Sequence, residues 1–241
     1  MSKPVTCLAS RGDEHTYVGS GSDVLEWRRL TCVGTLGSHP GIVRFLLCLG
    51  DVLVSLCDQG RLKTWVLKHR RAVEGGEDEV EEDEERNICD TALEAGFVPS
   101  AIAHPPTYLN KVVVGSETGG LQLWNIRVGR RVHTFKALDS EGSGVTCIEP
   151  SPALDVAAVG LKDGRVQVMN LRTDQVLMSF RQVVAVTSLS FRTDAASAEL
   201  PLLASAGGDG NVCLWDLAKR QLHLSMKGHD GGISKLHFLP R

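Results

Sequence analysis

The chain has 241 residues, of which 42% are hydrophobic and 23% are charged, a balance typical of a soluble globular protein rather than a disordered one. Its formal net charge is −3, but the segment 74–86 holds nine acids and one Arg, a net −8 that leaves +5 for the rest of the chain. No apolar run approaches the roughly 18 residues that a membrane helix needs, the N-terminal segment has no apolar signal-peptide core, and seven scattered Cys without C-x-x-C spacing exclude a disulfide framework and a Cys-rich zinc module.

One type of segment recurs along the chain: a small residue, a Gly-containing turn, an alternating apolar strand and then Trp. In chain order it occurs loosely at 19–30 and more clearly at 55–67, 115–126, 160–171 and 205–217. The aligned positions are Trp27, Trp65, Trp124, Met169 and Trp215, which are 38, 59, 45 and 46 residues apart. The acidic block accounts for the long step, and a period of about 40–46 residues with short Val- and Leu-rich strands indicates a β-propeller.

The predicted fold class is therefore all-β: a WD40-type β-propeller with five four-stranded blades and the start of a sixth. A sixth unit, GHDGGISKLHFLPR, contains only a first strand, so we expect an incomplete ring within a single propeller region, 1–241. The predicted blades cover 3–38, 39–93 with an acidic insertion at 74–87, 94–140, 141–181, 182–226 and, in part, 227–241.

Gly228-His229 and Trp215-Asp216 are the dipeptides of the WD repeat, and the resemblance to WD-repeat propellers extends along essentially the whole chain. In that family a His, a turn Asp, a strand Ser or Thr and the Trp of one blade form a buried hydrogen-bonded network, because a buried indole N–H and a buried hydroxyl need partners. The resemblance implies a structural, non-catalytic role for these residues. The predicted network members are His39, Ser55, Asp58, Trp65, Trp124, Asp163, Ser205, Asp209 and Trp215.

The segment 104–135, HPPTYLNKVVVGSETGGLQLWNIRVGRRVHTF, is very similar to the WD-repeat family of U3 small nucleolar RNA-associated protein 21, and its stretch 108–111 is more specific than any general WD signature. The resemblance covers roughly 5–240 and implies most of a first propeller. It further implies a scaffold subunit of the UTP-B subcomplex of the small-subunit processome, located in the nucleolus, which supports pre-rRNA processing toward 18S rRNA. Other processome proteins, and pre-rRNA or small nucleolar RNA, are the implied partners.

Basic residues recur where the third and fourth strands of the predicted blades join. All such turns lie on one face of a propeller, so we predict a basic arc that contacts RNA phosphates or acidic protein segments. The alternative is that these are ordinary solvated turn charges. No aromatic residues alternate with them in sequence, so base stacking gains no support. The arc consists of Lys68, Arg70, Arg71, Arg127, Arg130, Arg131, Arg172, Lys219 and Arg220.

The acidic insertion falls in the same kind of turn. It either stays solvated and passive, or it screens the basic arc or recruits a basic partner such as a ribosomal protein. The sequence has no phosphate-binding loop, dinucleotide fingerprint, zinc-protease motif or nucleophile elbow, so we expect no enzyme activity, cofactor or metal. Two alternatives to the processome scaffold remain. One is a general WD40 adaptor, such as a ubiquitin-ligase substrate receptor, and the other is an enzyme built on a propeller.

Overall fold

The computed structural model describes residues 3–67, 87–138, 141–152, 154–192 and 201–239. These residues form twenty strands and no helix. The strands make five antiparallel four-stranded sheets, and within each sheet the strands lie side by side in chain order, so hairpins join all the neighbours. The predicted all-β, WD40-type fold class is confirmed, and we call the sheets blades 1 to 5.

The chain divides into two compact units, Met1–Ala95 with Ile126–Arg130 and Gly96–Asn125 with Arg131–Arg241. The first unit contains blades 1 and 2. Tyr17, Val24, Val43, Leu53 and Trp65 are among its buried core residues. The strands are β1 (Val5–Arg11), β2 (His15–Ser20), β3 (Asp23–Arg28) and β4 (Thr31–Ser38) in blade 1, and β5 (Val43–Leu49), β6 (Val52–Cys57), β7 (Arg61–Val66) and β8 (Asn87–Ala92) in blade 2.

The second unit contains blades 4 and 5 and nearly all of blade 3. One apolar cluster joins blades 3 and 4, and another joins blades 4 and 5. Blade 3 consists of β9 (Pro99–Ala103), β10 (Lys111–Ser116), β11 (Leu121–Asn125) and β12 (Arg130–Thr134). The remaining strands are β13 (Val145–Pro150), β14 (Val156–Leu161), β15 (Arg165–Asn170) and β16 (Gln175–Arg181) in blade 4, and β17 (Val186–Phe191), β18 (Leu202–Gly207), β19 (Asn211–Asp216) and β20 (Gln221–Lys227) in blade 5.

The second strand of most blades is almost entirely buried. In β6, β10 and β14 every residue after the first is buried. Such burial explains the continuous apolar runs of the sequence. Glycine in a second strand allows the first strand of the next blade to approach closely. A Cβ on Gly160 would lie 2.7 Å from Cγ1 of Val186, and one on Gly115 would lie 2.5 Å from Cγ1 of Val145. The first strand of the following blade fills the space that each missing side chain leaves.

Hydroxyl groups near the start of first strands join neighbouring blades within each unit. Thr6 Oγ1 donates to the carbonyl of Val43 at 2.5 Å, and Ser100 Oγ donates to the carbonyl of Val145 at 2.6 Å. Thr187 makes the same contact with Ile233 in the sixth repeat. Residues 228–239 form no strand ladder, but the backbone N–H groups of Leu236 and Phe238 donate to the hydroxyls of Ser188 and Ser190 on β17, both at 3.1 Å.

Candidate functional site: the indole networks and the basic turns

Blade 2 contains a buried hydrogen-bonded triad of His39, Ser55 and Trp65. The indole Nε1 of Trp65 donates to Ser55 Oγ at 2.8 Å, and the same hydroxyl lies 2.8 Å from His39 Nε2. Burial, followed by the nearby charge of Lys63, lowers the pKa of His39 to about 4. The imidazole is therefore neutral near pH 7, so its Nε2 can accept the proton of the Ser55 hydroxyl.

Blade 5 contains the same triad with Gln182 in the place of the His. Trp215 Nε1 donates to Ser205 Oγ at 2.9 Å, and Ser205 donates to Gln182 Oε1 at 2.7 Å. Gln182 Nε2 in turn donates to the backbone carbonyl of Val184 at 3.1 Å. The WD-repeat pattern does not predict Gln182, because that pattern has a His at this position. A signal was present, since His39 and Gln182 both stand four residues before their blade's first strand.

Strand register places Trp65, Trp124, Met169 and Trp215 at one equivalent position, each paired with the second residue of the preceding strand. Blade 3 has no Ser there, and Trp124 Nε1 instead donates to Gln122 Oε1 at 2.9 Å, two residues earlier on its own strand. Blade 4 avoids the requirement altogether, because Met169 is fully buried and carries no N–H.

Trp27 of blade 1 occupies the corresponding position, paired with the second residue of β2. Its indole nitrogen is buried without a hydrogen-bond partner in the part of the chain that the structure describes. An N–H left in this state costs free energy rather than contributing stability. The repeated position therefore has four different environments: an indole bonded to Ser in blades 2 and 5, an indole bonded to Gln in blade 3, a Met in blade 4 and, among the described residues, an unpaired indole in blade 1.

The three turn aspartates bond within their own turns or to the start of a strand. Asp58 Oδ1 accepts from the backbone N–H of Ile42 at 2.9 Å, just before β5. Asp163 accepts from the backbone N–H of Arg165 at 3.1 Å and from its guanidinium at 2.7 Å. Burial opposes the charge of Asp163, but the Arg165 contacts outweigh it and hold the pKa of this carboxyl below its usual value. Asp209 accepts from the backbone N–H of Asn211 at 3.2 Å.

The described members of the basic arc are all exposed. Arg127 lies in the turn between β11 and β12, and Arg130 and Arg131 are the first two residues of β12. Arg172 lies between β15 and β16, while Lys219 and Arg220 lie between β19 and β20, with the Lys219 ammonium 3.9 Å from the Asp216 carboxylate. Three predicted members and most of the acidic insertion lie outside the described residues, namely Lys68, Arg70, Arg71 and 74–86.

Tertiary structure places an aromatic ring beside one arc residue, which the sequence analysis did not foresee. Tyr108 lies in the connection between β9 and β10, and Lys111 is the first residue of β10; both line a groove of about 590 Å³ together with Arg172 of blade 4. The Lys111 ammonium lies 4.8 Å from the centroid of the Tyr108 ring. Tyr108 and Arg172 are far apart in sequence, so only the packing of blade 3 against blade 4 shows that they are neighbours.

The five WD40-type blades thus share one buried position, which holds an indole in four of them and a Ser–Trp hydrogen bond in two. The family model of the WDR36/Utp21 first beta-propeller matches residues 1–241. The chain belongs to the WDR36/Utp21 family. The resemblance drawn from the sequence is thereby confirmed.

Curated relatives of this WDR36/Utp21 chain extend well beyond it. The chain is 32% identical to U3 small nucleolar RNA-associated protein 21 homolog of Schizosaccharomyces pombe, over 99% of this chain and 25% of that protein. It is 36% identical to WD repeat-containing protein 36 of Homo sapiens, over 89% of this chain and 22% of that protein. The chain therefore spans about a quarter of the length of these relatives.

A solved structure supports the fold alone. The computationally designed Ika8 protein superposes with a TM-score of 0.74 at 24% identity, over 98% of this chain and 65% of that one. Within the described residues of this WDR36/Utp21 propeller, no three His, Cys, Asp or Glu side chains gather into a possible metal site. The same residues contain no helix that could span a membrane.

Proposed function

We propose that this WDR36/Utp21 propeller is a non-catalytic scaffold element in assembly of the small-subunit processome. In this role it supports the processing of pre-rRNA toward 18S rRNA in the nucleolus. One observation carries the proposal: the family match extends over all 241 residues, and relatives in that family are named as proteins associated with the U3 small nucleolar RNA. We extend that association from the relatives to this chain.

The buried triads support a structural role over a catalytic one. Ser55 and His39 are the closest approach to a nucleophile and base, at 2.8 Å. Ser55 is fully buried, His39 is 6% exposed, and the hydroxyl already accepts the proton of Trp65. A nucleophile must reach its substrate, so this pair fixes the blade instead of performing chemistry.

The basic arc supports a role in binding. Its described members are exposed side chains on turns or at the start of β12, where cations attract phosphates or acidic protein segments with little desolvation cost. We propose that Arg127, Arg130, Arg131, Arg172, Lys219 and Arg220 contact UTP-B proteins or RNA within the particle.

Affinity purification of the tagged protein from nuclear extract, with RNA and protein both identified, tests the function. We expect U3 small nucleolar RNA, pre-rRNA and other processome proteins to co-purify, and we expect depletion of the protein to lower 18S rRNA relative to 28S rRNA. Co-purification with ubiquitin-ligase subunits and no pre-ribosomal RNA would replace this proposal with the WD40-adaptor alternative.

A further inference from the structure

The groove between blades 3 and 4, which we call the Tyr108 groove, combines an aromatic ring, two cations and an apolar floor. Tyr108 and Lys111 form one wall, and Arg172 and Asp155 form the other. Leu123 and Leu171 are buried at the floor. The volume of about 590 Å³ falls within the range of roughly 300–1,000 Å³ that is usual for binding clefts.

The carboxylate of Asp174 has hydrogen-bond partners, whereas in the described part of the chain the two cations of the groove have no carboxylate partner. Asp174 accepts hydrogen bonds from His133 Nε2 at 2.9 Å and from the backbone N–H groups of Lys136 at 3.0 Å and Ala137 at 3.1 Å. These bonds outweigh the effect of burial and hold the pKa of Asp174 below its usual value. Among the described residues, by contrast, neither the Lys111 ammonium nor the Arg172 guanidinium forms an ion pair with a carboxylate, and the Lys111 ammonium lies over the Tyr108 ring. Two cations are therefore available to an incoming anion.

Apolar side chains beside the groove are exposed to solvent. Val132 lines it and is 50% exposed, and Leu109, next to Tyr108, is 85% exposed. Tyr and Arg are enriched in protein-binding hot spots, and the exposed aliphatic side chains add apolar area that a bound partner would bury. Such a site favours a ligand that supplies both negative charge and an aliphatic group.

We propose that the Tyr108 groove binds a peptide segment of a partner protein in which acidic residues flank an aliphatic residue. The carboxylates lie against Lys111 and Arg172, and the aliphatic side chain packs on Leu123, Val132 and Leu171. The proposal deepens the scaffold role and rests on it, since it states the chemistry of one protein partner.

RNA fits the groove less well. Lys111 already covers one face of Tyr108, which limits base stacking. The Asp155 carboxylate would repel a phosphate, and the floor of Leu123 and Leu171 offers no donor to a sugar or a base. An acidic peptide shares the repulsion from Asp155, but it gains the apolar contacts that a nucleotide cannot make.

Site-specific photo-crosslinking in cells tests the proposal on the protein as it is expressed. A benzophenone side chain is introduced at Val132, and a second protein carries it at Leu30, which is 94% exposed but lies in blade 1. We expect the probe at 132, and not the probe at 30, to crosslink to a protein segment with Asp or Glu within a few residues of Leu, Ile or Val. A synthetic peptide of that segment should then bind the purified protein.

Charge-changing variants test whether the crosslink depends on Lys111 and Arg172. Lys111→Glu with Arg172→Glu should reduce the crosslink yield and the affinity for the peptide about tenfold or more. Lys162→Glu, at the opposite end of blade 4, makes the same charge change and should alter neither. Lys111→Gln with Arg172→Gln, which removes charge without adding any, should give an intermediate loss, and melting temperatures within a few degrees of the unaltered protein show that all variants fold.

Several outcomes would overturn the proposal: no crosslink above that of the Leu30 probe, crosslinks to RNA or to a segment without acidic residues, or a yield unchanged by the double charge reversal. Association with U3 small nucleolar RNA is measured in parallel. If the RNA remains associated but the acidic crosslink is absent, the groove proposal alone fails. If the unaltered protein does not associate with the RNA, the proposed function fails as well.

Discussion

Blades 2 and 5 satisfy the same buried indole with the same hydroxyl but complete the triad with different residues. In blade 2 the third member is His39, whose side chain is held neutral by burial, whereas in blade 5 it is Gln182, which is neutral at every pH. The comparison shows that the position requires a neutral acceptor for the Ser proton rather than a histidine. It also shows that only one of the two blades can be destabilised by acid through this group.

The largest expected effect tests what the two triads share. Ser55→Val or Ser205→Val leaves a buried indole N–H and the third residue of the triad without the Ser hydroxyl, so each should lower the free energy of unfolding by about 2–4 kcal/mol. Ser225→Val, on the exposed strand β20, should change it by less than about 0.5 kcal/mol. Urea unfolding measures all three, and a loss in only one blade would show that the two triads are not equivalent.

Lowering the pH should destabilise blade 2 through His39 but should not destabilise blade 5 through Gln182. The pKa of His39 is about 4 in the folded chain and 6.5 unfolded, so the unfolded state binds more protons between these values. The contribution of His39 to stability is therefore complete above pH 6.5 and is lost as the pH falls toward 4, by about 2 kcal/mol. Hydrogen exchange of the indole N–H of Trp65 should accelerate across this range, while that of Trp215 should not.

Exchanging the third residue between the two triads tests whether His39 causes the acid sensitivity. His39→Gln should remove the acid sensitivity of the Trp65 indole, and Gln182→His should introduce it at Trp215. If the Trp65 indole keeps its acid sensitivity in the His39→Gln variant, groups other than His39 cause it.

The smallest expected effect concerns the indole that has no partner. Trp215→Phe removes a hydrogen bond and should cost about 1 kcal/mol, although the ring still stacks on Phe180. Trp27→Phe removes an unpaired N–H and should cost about 0.5 kcal/mol less than that, or stabilise the chain. Thermal unfolding of the two variants measures the difference, and an equal loss in both would mean that Trp27 has a partner in solution.

Much of the fold could be predicted from single residues at fixed spacing. Trp65, Trp124, Met169 and Trp215 mark the third strand of four blades, and the short β-branched runs before them mark the second strands. Strand pairing within a blade is local, so turn residues and alternation along the chain are enough to specify it. The confirmed fold class and family follow from that local information.

The partners of the candidate residues could not be predicted in the same way. Gln122 bonds to Trp124 only because the two side chains share a face of one buried strand, and Gln182 reaches Ser205 across a connection that includes the undescribed residues 193–200. Neither contact has a fixed sequence motif. A buried indole N–H donates to any acceptor that packing places within hydrogen-bonding distance. The residue type of the acceptor can therefore vary while the hydrogen bond is kept.

The repeat, the strands of each blade and the positions that require a buried indole or its substitute follow from the amino-acid sequence alone, because they depend on residues close together in the chain. The groups that satisfy those indoles, and the groove that Tyr108 and Lys111 share with Arg172, are apparent only in the folded chain. The indole contacts depend on side-chain packing within a blade and its connections, whereas the groove forms because blade 4 packs on blade 3. Side chains more than sixty residues apart become neighbours there only when the apolar faces between the two blades exclude water.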